Sequence, residues 1–156
     1  MTYAESTSVS VARSKAEIEN IIRKYGADSF GTMSTPGFDQ IAFSIGASRV
    51  RFDLPLPDQN DPRFVPTRNN YRKSKKERAY EAWEQECRSL WRALFLVIKA
   101  KLEAVASGIT TFDSEFMAHL IVGPRGQTVH QMVMPQIEAA RKSGTPGPLM
   151  LSGSKT

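Results

Sequence analysis

The spacing of apolar residues predicts one long amphipathic helix over residues 74–107. Apolar side chains recur there at steps of three and four residues, the period at which a helix presents one continuous apolar face. This stripe comprises Tyr80, Trp83, Cys87, Leu90, Trp91, Leu94, Ile98, Leu102 and Val105. Ser74 and Glu77 stand at the spacing of a capping box at its start, and Gly108 suits its end.

A helix of this length extends for about 50 Å, which exceeds the span of a small sheet. Part of its apolar stripe is therefore expected to pack either on the C-terminal segments or on a second copy of the chain. The residues assigned to a homo-oligomer interface are Trp83, Trp91, Leu94 and Ile98. On this pattern the chain is expected to self-associate.

The flanking segments predict an α+β fold. An N-terminal helix is expected to begin at Ser14, where Ser14 and Glu17 fit a capping box, and to end at Gly26. Ser29–Ser34 is taken as a first strand, and alternation of apolar and polar residues over residues 40–45 and 49–54 predicts two more, which gives a three-stranded antiparallel β-meander before the long helix. After the long helix, a hairpin turning at residues 123–126 and a final helix over residues 129–142 complete the fold.

Composition sets the expected domain limits and the compartment. Residues 1–13 are polar and predicted to be disordered, residues 14–143 form a single domain, and residues 144–156 are a flexible tail rich in Pro, Gly and Ser. The single cysteine, Cys87, excludes an intrachain disulfide. The N-terminus lacks the apolar core of a signal peptide, and the longest apolar run is too short for a bilayer. The expected location is the cytoplasm, without membrane attachment.

The distribution of charge is the strongest functional signal in the sequence. The net charge is +5, and residues 63–78 contain seven basic residues and one acidic residue. A track of cations suits a phosphate backbone, because each counterion released adds affinity. The predicted phosphate contacts are Arg49, Arg51, Arg72, Lys73, Lys75, Lys76 and Arg78, with Tyr71 stacking on a base. The alternative is a solvated loop whose lysines only keep the protein soluble.

No pattern of catalytic or metal-binding residues stands out. His119 and His130, taken with Cys87, lack the short spacings of a zinc site. Asp113, Glu115 and His119 form at most a weak acid–base cluster, because Asp113 suits the start of a short helix. The sequence therefore predicts a protein that is not an enzyme, with no catalytic residue, no metal and no cofactor.

Two stretches carry a resemblance to a known group of proteins. Residues 83–105, which include Trp83, Trp91 and Ile98, and residues 108–116 resemble small uncharacterised proteins of bacteriophages and prophages. The resemblance extends from the first helix to Ala140. It implies a bacterial host cell and brings no catalytic residues.

The order of elements is also similar to that of phage single-strand annealing proteins of the Redβ and Sak type. This similarity implies a non-enzymatic protein that binds or anneals single-stranded DNA in recombination. Element order alone does not establish a function. The alternative hypothesis is a phage protein-binding factor that inhibits or redirects a host protein machine.

Overall fold

The protein folds as a mixed α+β structure in which two helices cover one face of a small sheet. The structure is a computed structural model and describes residues 4–68 and 72–144. Its helices are α1 (Val11–Lys24), α2 (Lys75–Ala106), α3 (Phe112–Phe116) and α4 (Val129–Ser143), and its strands are β1 (Ser29–Thr35), β2 (Phe38–Ile45) and β3 (Ser48–Pro55). Short 3₁₀ turns occupy Pro62–Phe64 and Met117–His119. The predicted fold class and order of elements are confirmed.

The N-terminal helix begins three residues before the predicted start. Ser10, not Ser14, is its N-cap, and the Ser10 side chain accepts a hydrogen bond from the Arg13 backbone at 3.1 Å. Ser14 is fully buried one turn before Ile18, on the face that packs against α2. Burial of Ser14 inside the helix therefore overrides the local capping signal. The predicted disorder of residues 1–13 does not hold for residues 4–13: Ala4 is buried, the Gln85 side chain donates to the carbonyls of Glu5 and Thr7, and residues 11–13 are helical.

The three strands form the predicted antiparallel meander in the order β1-β2-β3. Ile41 pairs with Phe52, and Phe43 pairs with Val50, so these four apolar side chains share one face of the sheet. They join the core beneath α1 and α2. The opposite face carries Arg49 and Arg51, as the alternation predicts.

The long helix α2 has the predicted capping box at its N-terminus. The Ser74 backbone N–H donates to Glu77 Oε2 at 2.7 Å, and the Glu77 N–H donates to Ser74 Oγ at 3.2 Å. Its buried side chains all lie between Cys87 and Leu102. The first three turns, residues 75–86, contain no buried residue and extend beyond the core. The N-terminal end of α2 is therefore accessible.

The C-terminal segment forms the short hairpin that the sequence predicts around residues 123–126. Ile121 and Thr128 form a bridge, the Val122 N–H donates to the Gln127 carbonyl at 3.1 Å, and the Val129 N–H donates to the Leu120 carbonyl at 2.9 Å. Thr128 is also the N-cap of α4, so the chain enters a helix at the point where a second strand would extend. Pro135 lies inside this helix. Across the described residues 4–68 and 72–144, no helix is long and apolar enough to span a bilayer.

Candidate nucleic-acid interface

Several cations of the basic segment hold the loop before α2 against the helix. The Arg63 guanidinium lies 3.2 Å from the Asp61 carboxylate and 2.8 Å from the Glu86 carboxylate. Lys73 forms an ion pair with Glu81, one residue after Tyr80. Arg78 donates to a backbone carbonyl in the loop, that of Arg68, at 2.5 Å. Lys73 and Arg78, both predicted phosphate contacts, thus have partners within the chain.

Lys75 and Lys76 occupy the first turn of α2 and are exposed. Neither has a hydrogen bond or ion pair with any residue in the described ranges. Their charges add to the positive end of the helix dipole, which destabilises the helix slightly rather than stabilising it. This pair therefore carries positive charge that no carboxylate in the described ranges neutralises.

The remaining predicted residues of this segment lie close to the same helix end. Arg72 is exposed two residues before the N-cap. Tyr71, the residue predicted to stack on a base, lies outside the described residues. The structure therefore brings together Arg72, Lys75 and Lys76 as an exposed basic surface, here called the helix-end surface.

Arg49 and Arg51 do not belong to the helix-end surface. They lie on the face of the sheet opposite α2, and Arg49 is about 20 Å along β3 from the strand end that leads to the basic loop. The Arg51 side chain is only 17% exposed. Its guanidinium donates to the Gly126 carbonyl at 2.7 Å and to Gln131 Oε1 at 2.9 Å. Arg51 therefore ties the sheet to the C-terminal turn and α4, whereas Arg49 remains exposed.

The residues predicted to form an oligomer interface are largely covered by the chain itself. Trp91 is 1% exposed, and Leu94 and Ile98 are also buried in the core. Trp83 is half-buried, and its indole N–H donates to the Pro57 carbonyl at 2.9 Å. The core beneath α1 and the sheet encloses Trp91, Leu94 and Ile98, and the loop at Pro57 partly covers Trp83, so these four residues do not form an exposed seam for a second copy.

A cleft borders the helix-end surface, between the loop after β3 and the first turns of α2. Its volume is about 580 Å³, within the range of small-ligand sites. Asn60 and Val65 line the loop side, and Lys75, Lys76 and Tyr80 line the helix side. Asn60 and Val65 were not predictable from the sequence, because the cleft joins segments that are not adjacent along the chain.

The candidate acid–base residues are each engaged elsewhere. Glu115 pairs with Lys101 at 3.0 Å, and Asp113 accepts a hydrogen bond from Ser48 at 2.5 Å. His119 stacks on Phe52 with ring centroids 3.9 Å apart. Burial lowers the pKa of His119, and the nearby Lys101 lowers it further. No group of three or more potential metal-binding side chains occurs among the residues that the structure describes.

A shallow apolar groove lies between the α3 region and α4. It is lined by residues that include Met117, Ala118, Val133, Met134 and Ile137, and its volume is about 360 Å³. Met117 is 54% exposed, and α4 buries none of its own residues. This groove shares no lining residue with the cleft beside the helix-end surface.

Comparisons with known proteins give no match. The chain matches no protein-family model, no curated protein and no solved structure.

Proposed function

We propose that this protein is a non-enzymatic nucleic-acid-binding module of phage type, and that it favours single-stranded DNA. The helix-end surface is the proposed contact. One observation carries the proposal: Lys75 and Lys76 are exposed and without a partner among the described residues, although three carboxylates line the same cleft.

Those carboxylates are already engaged. Asp61 pairs with Arg63, Glu81 pairs with Lys73, and Glu77 accepts from the Ser74 backbone N–H. The hydrogen bonds from Ser74 also hold the pKa of Glu77 below its ordinary value, so this carboxylate stays ionised in its cap. Neighbouring acids therefore do not neutralise the two lysines, and a phosphate backbone supplies the missing anions.

The proposal predicts a specific loss on neutralising this lysine pair. The K75Q/K76Q variant is expected to bind a single-stranded oligonucleotide at least about tenfold more weakly at low salt. Its plot of log affinity against log salt is expected to be shallower by about 1.4, because each phosphate contact on a single strand contributes about 0.7. Fluorescence anisotropy over a salt titration measures both quantities.

The matched control neutralises another exposed basic pair, Arg141 and Lys142, in the last turn of α4. Both double variants reduce the net charge by the same amount, so a nonspecific effect of net charge would weaken oligonucleotide binding equally in the two. The R141Q/K142Q variant is expected to keep the wild-type salt slope. Equal losses in the two variants, or salt-independent binding by the wild type, contradict the proposal.

The apolar groove beside α4 favours a second candidate, a factor that binds a host protein. Its exposed Met117 and the flexible side chain of Met134 suit an apolar partner surface. This candidate predicts capture of a host protein that survives nuclease and high salt, with no saturable binding of oligonucleotides. Salt-sensitive capture that nuclease abolishes contradicts it.

A further inference from the structure

The cleft beside the helix-end surface has apolar residues on both of its walls among polar and charged ones. The side chain of Val65 forms part of one wall, and Tyr80 and Ala79 form part of the other. Tyr80 is 46% exposed, so part of its side chain is accessible to a ligand. A volume of about 580 Å³ accommodates a group as large as a nucleobase.

The Tyr80 ring is held in place from behind. Its centroid lies 5.5 Å from that of Trp83, with the rings tilted by 42°. Trp83 is itself fixed by the hydrogen bond from its indole N–H to Pro57 at 2.9 Å. A ring supported in this way loses little conformational freedom when a second flat group stacks on it.

The polar residues of the cleft complete the match to a nucleotide. The side chains of Gln59 and Asn60 lie on the loop wall, where amides offer both donors and acceptors to the edge of a base. Lys75 and Lys76 lie on the helix wall with their charges unpaired among the described residues. Apolar, amide and cationic groups thus meet at one opening. Three carboxylates also line it, those of Asp61, Glu77 and Glu81, and each is engaged within the chain, by Arg63, the Ser74 backbone N–H and Lys73 respectively.

We infer that this cleft holds one unpaired base of a nucleic-acid strand, stacked on Tyr80, while the adjoining phosphates contact Lys75 and Lys76. The inference rests on the proposed function and adds to it a base-binding site. A paired base is not free to enter the cleft, so the site selects single strands over duplexes. Stacking depends on the π-face that every base has, so little sequence preference is expected.

The test compares a 15-nucleotide thymidine strand with an abasic strand of the same length and charge. The wild type is expected to bind the thymidine strand more tightly than the abasic one. Tyr80→Ala is expected to weaken binding of the thymidine strand about tenfold, the loss typical of one stacked base. It should leave abasic-strand binding and the salt slope unchanged. Tyr80→Phe keeps the ring and is expected to bind like the wild type.

The outcomes separate the two proposals. If the wild type binds both strands equally, with an affinity that falls with salt and is lost in K75Q/K76Q, the base site is wrong and the phosphate surface stands. If Tyr80→Ala weakens both strands alike, the ring has a structural role and the base site is again wrong. If the wild type binds neither strand, both proposals fail. Circular dichroism of Tyr80→Ala checks that the fold is kept.

Discussion

Replacement of Trp91 by alanine is expected to lower the free energy of unfolding by about 3–5 kcal/mol, the usual cost of removing a large aromatic side chain from a core. Trp91 is the largest fully buried side chain in the described part of the chain. It lies in the core cluster with Ile18 and Phe95, and the Lys15 ammonium sits 4.5 Å above its ring. Denaturant unfolding followed by circular dichroism measures the loss.

Val97→Ala provides the comparison on the same helix. Val97 is 45% exposed, so its truncation is expected to change the stability by no more than about 0.5 kcal/mol. If Trp91 instead formed an oligomer seam, Trp91→Ala would dissociate an oligomer while each subunit kept its stability. Light scattering alongside the denaturation curves distinguishes these results.

Replacement of Arg51 by alanine is expected to lower the free energy of unfolding by about 2 kcal/mol without changing the salt slope of DNA binding. The guanidinium donates to Gly126 and Gln131, and its Nε lies 3.1 Å from the Asp53 carboxylate. Truncation leaves these acceptors without their charged donor, and a hydrogen bond to a charged group contributes about 1.5–3 kcal/mol. The Asp53 side chain is exposed to solvent, so its ion pair with Arg51 contributes less to the free energy of unfolding than the hydrogen bonds to Gly126 and Gln131 do.

The control for Arg51 is its neighbour on the same face of β3, Arg49. Arg49 is exposed, so Arg49→Ala is expected to leave the stability within about 0.5 kcal/mol of the wild type. Denaturant unfolding and oligonucleotide anisotropy are measured on both variants. Unchanged stability of Arg51→Ala, with single-strand binding weakened as in K75Q/K76Q, would contradict the structural role of Arg51.

The elements that depend on local patterns were predictable from the sequence. The capping box of Ser74 and Glu77 and the stripe from Cys87 to Leu102 involve residues within one helix, and both are confirmed. The alternation of β2 and β3 likewise identified the inner face of the sheet. Such signals are readable because helices and strands repeat with fixed periods.

The starting point of α1 was wrong because two serines competed for the cap. Ser14 has a glutamate three residues later, which is the stronger local signal, whereas Ser10 has none. Ser14 is fully buried in the fold, so it lies within the helix and Ser10 forms the cap. Information of that kind is not contained in a short window of sequence.

The same limit applies to the candidate interface. Alternation placed Arg49 and Arg51 together on one face, but the partner of Arg51 at Gly126 is 75 positions away in the chain. Conversely, the cleft joins Asn60 and Val65 to Tyr80 across the loop before α2. The basic composition of residues 63–78 was readable from the sequence. The structure was needed to show that neighbouring cations are paired within the chain, which leaves Lys75 and Lys76 as candidate phosphate contacts.

The central claim is that the N-terminal end of α2 contacts single-stranded nucleic acid. The most direct measurement is a titration of ¹⁵N-labelled protein with a single-stranded oligonucleotide, followed by NMR at two salt concentrations. The account predicts saturable shifts of the backbone amides at residues 59–61 and 75–80, which weaken at the higher salt. An absence of shifts, or shifts confined to Arg49 and to residues 129–137 of α4, would contradict it.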